Sequence, residues 1–513
     1  MTFARLCAVA TYRFGAFVLD TSTYSLSRGA ERLDVAARQL DLLSYLVTRP
    51  AQLVTRDDLF RDLWPGVAVT DNALTQLVSD LRRTLDDAPA APRYVETVAR
   101  RGYRFVAPVD AIELSVRSPP SPSEGQFVQT SNLEVLRSIF DGRLKLESLS
   151  PADIDSAVVQ FARAVELDPT FAGGYVGLAT AKFWKYESTR SGFQPDTGLL
   201  AAAVRDARQA VALAPAFAEA HATLSYLLTA SGRFDEAHAA ARRAVALQPE
   251  WWAHHFRLGH ATWGASRLRA LGQCLELYPE FAFAHYEMAM VHVARQAFDV
   301  AGNVLREGMA IQERVGTQER RFPANGLHWM LGAIALRQGD TAVAVAECDR
   351  ELTSGARSLY AREFALAALN TCGFALLSDA AFDRAAETFR HSLATTDEQV
   401  RPHIGLALVA RLRGNGDESA RERESARRGV ARLFNGGRSP EGLTMQAGLQ
   451  VAEDDPAAAC ETLERLFDGT ALSAGWALPI DPLFAAMRDL SAYRVVERRI
   501  ALRASTESAA LPT

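Results

Sequence analysis

The chain has 513 residues, 48% of them hydrophobic and 23% charged, with a net charge of −5. Its length exceeds a single domain, corresponding to roughly three units of ~150 residues, and its composition is that of a globular protein with a sizeable core. The slight acidity excludes a basic coat over the whole chain but leaves room for one local nucleic-acid surface. Of the 56 cationic side chains, only Lys145, Lys182 and Lys185 are lysines, so no arginine is informative merely for being one. The five cysteines (Cys7, Cys274, Cys348, Cys372, Cys460) are scattered, with no CxxC spacing. They argue against a disulfide framework or a cysteine zinc site and suit a reducing cytosol. The apolar patch in MTFARLCAVAT is too short for a signal peptide. The run from Phe364 to Phe382 is broken by Asn370, Thr371, Ser378 and Asp379 and falls short of the ~20 apolar residues of a membrane span. The expectation is a cytoplasmic protein with no membrane segment.

In chain order, Tyr12 to Asp20 (YRFGAFVLD) is β-rich, and Tyr24–Leu26 and Arg32–Val35 follow around a turn signal at Ser27-Arg28-Gly29. A small antiparallel sheet is expected. A helix over Ala37–Thr48 places Leu40, Leu43, Leu46 and Val47 on one stripe and ends at Arg49-Pro50. After the short extended link Leu53-Val54, Thr55 reads as an N-cap with Asp58 three residues on. The helix RDDLFRDLW stops at Pro65-Gly66.

The stretch from Thr70 to Val106 organises this half of the chain. Leu74, Leu77, Val78, Leu81 and Leu85 recur at helical spacing on one side. Asn72, Gln76, Ser79 and Arg83 fall opposite, flanked by Thr75 and Arg82. Such a polar front carries the donors and acceptors suited to base edges and phosphates. A hairpin over Tyr94–Val106 turns near Arg101-Gly102. Between Arg82 and Arg104 six arginines stand against three acids, whereas residues 12–109 as a whole are near neutral.

Sheet, three helices and hairpin follow the order of a winged helix-turn-helix. Residues 12–109 resemble the OmpR/PhoB-type winged-helix DNA-binding domain. The resemblance rests on Phe14-Gly15, Asp20, Leu40 and Leu43, the run Val54-Thr55-Arg56-Asp57 with Leu59, Leu63 and Trp64, Val78 with Leu81-Arg82-Arg83 and Leu85, and Val98 with Gly102-Tyr103-Arg104-Phe105. It implies that the third helix enters the major groove and the wing meets the adjacent minor groove. The implied DNA contacts are Asn72, Thr75, Gln76, Ser79, Arg82 and Arg83 on the helix and Arg100 and Arg101 on the wing. The family's wing has Arg-Gly-x-Gly before the tyrosine. Here Ala99-Arg100-Arg101-Gly102 stands there, so the minor-groove contact stays open between the two arginines. The loop Pro65–Val69 is where the resemblance places RNA polymerase. The near-neutral charge implies modest non-specific affinity and a need for homodimers or tandem sites.

Residues 110–130, with SVRSPPSPSEGQ at their centre, read as a flexible linker. With about eleven residues ahead of the winged helix, no receiver domain is expected, so regulation enters from the C-terminal side. Residues 131–503 carry an internal repeat: AVELDPTFAGGYVGLA, AVALAPAFAEAHATLS, AVALQPEWWAHHFRLG and CLELYPEFAFAHYEMA. The spacing between Pro215 and Pro249 is 34 residues, the tetratricopeptide period. Pro169 precedes Pro215 by 46, which implies a 12-residue insertion around TRSGFQPDTGLL, and Pro279 follows Pro249 by 30, which implies a shortened helix or turn. Gly232–Ala237, Gln338–Ala342 and Ala381–Ala385 resemble the turn and second-helix start of such repeats. Stacked pairs form a superhelix whose concave face suits a protein or peptide partner. Ala474–Phe484 (AGWALPIDPLF) is expected to cap the last helices.

The histidines at 254, 255 and 260 lack cysteine or paired carboxylate neighbours and read as packing residues, as do Trp251, Trp252, Trp263 and Trp329; no metal or cofactor is expected. No GxxxxGK[ST], GxSxG or HExxH motif occurs, so no enzyme is expected. The fold expected is multidomain, an N-terminal α+β winged helix followed by an all-α tetratricopeptide-type superhelix. The whole resembles the HilA-like class of transcription regulators, which bind promoter DNA through the winged helix and a signal, partner or second copy through the repeats. The alternative is an interaction scaffold whose winged helix no longer binds DNA.

Overall fold

The computed structural model describes residues 11–20, 25–29, 31–33, 35, 37–63, 71–89, 91–98, 101–112, 132–146, 150–315, 324–353, 360–469 and 471–506. The chain forms two compact units, Met1–Ser121 and Pro122–Thr513.

The first unit begins with β1 (Thr11–Phe14), β2 (Phe17–Asp20), β3 (Ser25–Arg28) and β4 (Glu31–Leu33), all antiparallel. Then come α1 (Ala37–Val47), β5 (Leu53–Thr55), α2 (Arg56–Leu63), α3 (Asp71–Leu85), β6 (Val95–Val98), β7 (Gly102–Phe105) and β8 (Asp110–Ile112). The strands form two sheets, in the orders β4-β3-β2-β1-β8 and β5-β7-β6. The β-rich run at the start is two strands. Gly15, at φ +55, supports a two-residue turn that sets Phe14 opposite Phe17. Ser27 and Arg28, expected in a turn, extend β3 instead, because they continue its ladder opposite Val18 and Phe17. Past Val109, β8 pairs with β1, so the sheet reaches beyond both ends of residues 12–109.

Phe14 packs edge-on against Tyr94 and Phe105 at 5.7 and 5.1 Å between centroids. Leu40, Leu43 and Leu46 of α1, Leu59 of α2, and Leu74, Val78, Leu81 and Leu85 of α3 complete this core. Each such buried aliphatic contributes roughly 1.5–3 kcal/mol. Thr55 and Asp58 cap α2 reciprocally. The Asp58 N–H donates to Thr55 Oγ1 at 3.1 Å, and the Thr55 N–H donates to the Asp58 carboxylate at 3.4 Å.

Among the described residues the second unit is built of helical hairpins. They are α4 (Leu133–Leu146) with α5 (Pro151–Leu167), α6 (Ala172–Arg190) with α7 (Thr197–Leu213), and α8 (Ala218–Ala230) with α9 (Phe234–Leu247). Then follow α10 (Trp252–His260) with α11 (Gly264–Leu277), α12 (Ala282–Ala294) with α13 (Phe298–Val315), and α14 (Leu327–Gln338) with α15 (Thr341–Thr353). The last pairs are α16 (Ala361–Ser378) with α17 (Phe382–Thr395), α18 (Arg401–Leu412) with α19 (Gly416–Asn435), and α20 (Ser439–Ala452) with α21 (Pro456–Glu464). A final helix, α22, runs over Ser491–Ser505.

The repeat is visible in the backbone. The residues before Pro169, Pro215, Pro249 and Pro279 adopt nearly one conformation: Asp168 (φ −146, ψ 88), Ala214 (−138, 80), Gln248 (−141, 78) and Tyr278 (−140, 83). Proline bars the preceding residue from the helical region, so it ends each second helix at the same place. Within pairs the first helix ends in a recurrent backbone lock. Arg233 N–H donates to Leu228 O at 2.9 Å, and Ala297 to His292, Asp340 to Ala335, and Ala381 to Leu376 do the same. The longest spacing comes from longer helices as well as a longer connection. α6 has 19 residues against 13 in α8, and α7 has 17 against 14 in α9. The shortest comes from α10, which has nine.

First helices of successive pairs touch one another, as in α6–α8, α8–α10, α14–α16, α16–α18 and α18–α20, and so line the concave side. Ala474–Phe484 does more than cover the last helices. It lies along this concave side, with the turn at Leu478–Ile480 packed on α12 and α14 and Pro482–Met487 packed on α14 and α20. Arg337 Nε donates to Pro479 O at 3.0 Å, and Arg401 grips the Asp481 carboxylate at both oxygens, at 2.6 and 2.8 Å. α22 then reaches α11 and α12, where Arg295 Nε donates to Ala504 O at 2.9 Å. A second return joins the α6–α7 connection to α19. Phe193, 2% exposed, packs with Val400, Val430 and Leu433, and Arg438 NH1 donates to Gly192 O at 2.9 Å. The repeat unit therefore closes on itself.

Candidate nucleic-acid interface

The two faces of α3 separate cleanly. Leu74, Val78, Leu81 and Leu85 are buried, whereas Thr75, Gln76, Ser79 and Arg83 are exposed. With 15 residues, the helix is ~22 Å long at ~1.5 Å per residue, and its diameter matches the width of a DNA major groove. Asp80 sits among the exposed residues. Its carboxylate accepts hydrogen bonds from Gln76 Nε2 at 3.0 Å and from the Arg83 guanidinium. One acid thus tethers two of the side chains expected to read DNA, and it offsets part of their positive potential.

Arg82 departs from the expectation. It is 9% exposed, and its guanidinium turns away from the polar face. Nε and NH2 donate to Val95 O at 3.2 and 2.7 Å, and NH2 also donates to Thr97 Oγ1 at 2.8 Å. The spacing held the clue. Arg82 stands four residues after Val78 and three before Leu85, on the edge of the buried stripe. Arg82 is therefore spent on the fold and is not on the DNA-facing surface. Asp87 does related work: its carboxylate accepts the N–H groups of Arg93 at 2.6 Å and Val95 at 2.8 Å. Together the two charged side chains fasten the end of α3 to β6 and hold the helix and wing in a fixed relation.

At the wing tip Arg101 is exposed, and its N–H donates to Val98 O at 3.0 Å, closing the turn. Gly102, at φ +151, is required by close approach, because a Cβ there would collide with the Val54 carbonyl of β5. Arg104 pairs across the hairpin with Glu96 at 3.4 Å, and the exposed Arg93 donates to Asp86 O at 2.7 Å. Neither cation was expected from sequence to touch DNA: Arg93 entered only a charge count, and Arg104 that count and the wing motif. The side chain of Asn72, all of Arg100 and the Pro65–Val69 loop lie outside the described residues.

In the repeat unit some histidines hold loops and helices together, while His328 and His403 pair with Glu347 and Glu422 at 2.7 and 2.6 Å and His260 lies 3.5 Å from Glu287. His255 Nε2 bonds Pro249 O at 2.6 Å and His221 Nε2 bonds Pro215 O at 2.9 Å, the same six-residue step in two repeats. His254 is fully buried against Gln248 at 3.1 Å, and burial holds its pKa down at about 3. Among the described residues no group of three or more His, Cys, Asp or Glu side chains is placed to hold a metal ion. No helix among them is long and apolar enough to cross a membrane.

A helix with a polar outer face, locked to a positively tipped two-strand wing, defines a winged helix-turn-helix. Residues 30–105 match the family described as transcriptional regulatory protein, C terminal, and the first unit is a DNA-binding winged helix of the OmpR/PhoB type. The chain is 31% identical over 115 residues to the transcriptional activator CadC of Escherichia coli, covering 21% of this chain and 22% of CadC. It is 36% identical over 85 residues to the cholera toxin transcriptional activator of Vibrio cholerae, covering 16% of this chain and 29% of that protein. It is 28% identical over 136 residues to the transcriptional regulator HilA of Salmonella typhimurium, covering 26% of this chain and 23% of HilA. The chain thus spans less than a third of the length of each.

Proposed function

We propose that this chain is a sequence-specific, DNA-binding transcription regulator that catalyses no reaction and works in the cytoplasm. Thr75, Gln76, Ser79 and Arg83, with Asn72, meet base edges and phosphates in the major groove, and Arg100 or Arg101 meets the adjacent minor groove. The observation that carries this reading is the division of α3. Its leucines and Val78 are spent on the core and Arg82 on the wing, while Gln76, Ser79 and Arg83 face outward, Gln76 and Arg83 held only by Asp80 of the same helix. Glutamine suits the adenine edge and arginine suits guanine or phosphate. The near-neutral charge of the domain favours binding as a homodimer or on tandem sites, and the α2–α3 loop is the candidate contact for RNA polymerase.

The repeats supply regulation through a protein or peptide partner. The concave side carries residues 474–487 of the chain itself, so a partner there competes with this segment. The test is fluorescence anisotropy on promoter fragments recovered by genome-wide binding. Arg83→Ala and Arg101→Ala should each weaken binding, and each should lower the salt slope by ~1 where it meets a phosphate. Unchanged binding by both variants refutes the residue assignment. A lack of any promoter enrichment favours an interaction scaffold.

A further inference from the structure

Where the chain's closing segment runs into α22, the repeat unit leaves an open cavity of about 730 Å³, within the ~300–1,000 Å³ of small-molecule sites. It lies between the α12–α13 turn, the end of α14 and the first turns of α22. Six of its nine lining residues are charged. Arg337, Arg488, Arg494 and Arg498 line it together with Asp489 and Glu497, so cations outnumber acids four to two.

The acids offset the cations only in part, Glu497 acting on Arg337, Arg488 and Arg494 and Asp481 on Arg488. Asp489 pairs with Arg494 at 3.1 Å. Among the described residues, Arg337, Arg488 and Arg498 have no carboxylate within ion-pair distance. Arg337 and Arg498 each spend Nε on a backbone carbonyl, Pro479 O and Arg494 O, and Arg337 also lies over the Phe298 ring at 5.5 Å; among the described residues no hydrogen bond engages their outer nitrogens. Arg488 Nε is buried without a partner, and burial together with the nearby Arg337 charge holds its pKa below the ordinary guanidinium range. Glu497 is 5% exposed, and its Oε1 is likewise unpartnered. Burial pushes its carboxyl above the usual range, against the opposing pull of Arg337, Arg488 and Arg494. α22 starts beside the cavity at Ser491 without a side-chain cap, so the positive end of its dipole adds to the same field.

Four guanidinium groups against two acids leave this wall net positive, a field that draws an anion. Guanidinium forks match phosphate geometry. Among the described residues no aromatic ring lines the cavity to stack a base. We propose that this cavity binds a compact phosphorylated small molecule, held by Arg337, Arg488 and Arg498, which ties α14 to α22 and so strengthens the closure of the repeat unit. This holds whether or not α3 reads DNA.

The experiment is calorimetric titration of the full-length protein with sodium pyrophosphate, and in a parallel arm with sodium citrate, in chloride buffer. The expected result is saturable one-to-one binding of pyrophosphate, about tenfold tighter than citrate, with a raised thermal midpoint. Arg488→Gln and Arg498→Gln should each weaken it about tenfold, the effect of losing one charge-assisted hydrogen bond. Arg498 is exposed, so its substitution spares the fold, which circular dichroism verifies. Arg428→Gln, at an exposed arginine of α19 outside the cavity, should bind like the parent. Absence of saturable pyrophosphate binding, equal binding by Arg498→Gln, or a preference for citrate overturns the proposal.

Discussion

Arg82 and Arg83 are neighbours in sequence with opposite fates, and exchanging their substitutions separates fold from function. Arg82→Met keeps the aliphatic stem and removes three hydrogen bonds to Val95 O and Thr97 Oγ1. A charge-assisted bond contributes ~1.5–3 kcal/mol, and a buried carbonyl left unpaired costs ~1–3 kcal/mol. These overlap, because Nε and NH2 share the Val95 carbonyl, so a net loss of about 2–4 kcal/mol is expected. At ~1.4 kcal/mol per decade that is about 30- to 700-fold faster amide exchange in β6, provided exchange proceeds through local opening. Hydrogen-exchange mass spectrometry on the full chain reads this directly, with peptides from α8–α13 as the internal control. DNA affinity measured against salt gives the other half. Per folded molecule, Arg82→Met should keep the salt slope, whereas Arg83→Ala should lower it by ~1 and leave exchange in β6 unchanged. If Arg82→Met lowers the slope while β6 stays protected, the buried arginine is a DNA contact after all and the reasoning fails.

Other perturbations test separate parts of the chain. Asp80→Asn removes a negative charge from the polar face and loosens its hold on Gln76 and Arg83. Binding at low salt should tighten about 2- to 10-fold on all sequences, with weaker discrimination between sites; uniformly weaker binding would show that Asp80 orients its partners productively. Phe193→Ala should cost about 3–5 kcal/mol, seen as a lower urea midpoint and faster exchange in α18 and α19, and an unchanged midpoint would mean that this closure carries no load. His254 has a folded pKa of about 3 against an unfolded value of ~6.5. Its contribution is therefore complete above pH 6.5 and is lost as the pH falls toward 3, by up to ~1.4 kcal/mol per unit. Urea titrations at pH 7, 6 and 5 should show this slope reduced in His254→Gln, and an identical slope would refute the assignment.

Much of the architecture was legible because burial of apolar side chains follows the period of the element that carries them. The spacing of Leu74, Val78, Leu81 and Leu85 specified both the helix and its buried face, and the prolines at 169, 215, 249 and 279 marked the ends of second helices. The cap at Thr55 and the turn before Gly102 are local, formed by residues a few positions apart, and were read correctly for that reason. The first sheet was less legible. Strand ends there are decided by partners, and β8 could not be anticipated because its partner β1 lies about a hundred residues away.

What the chain's own pattern determines is therefore the order of elements, the winged-helix class, the repeat and the polar face of α3. What needed the folded molecule is the use made of charged side chains and of the last segment. Periodicity predicts where a leucine goes, because its burial depends on its own helix. The burial of Arg82 depends on a carbonyl thirteen residues away on β6, a partner no helical pattern contains. For the same reason Ala474–Phe484 reads as a cap in sequence. Its place on the concave side is set by Arg337 and Arg401, more than a hundred and about eighty residues distant, which meet it only because the stacked hairpins curve back upon themselves.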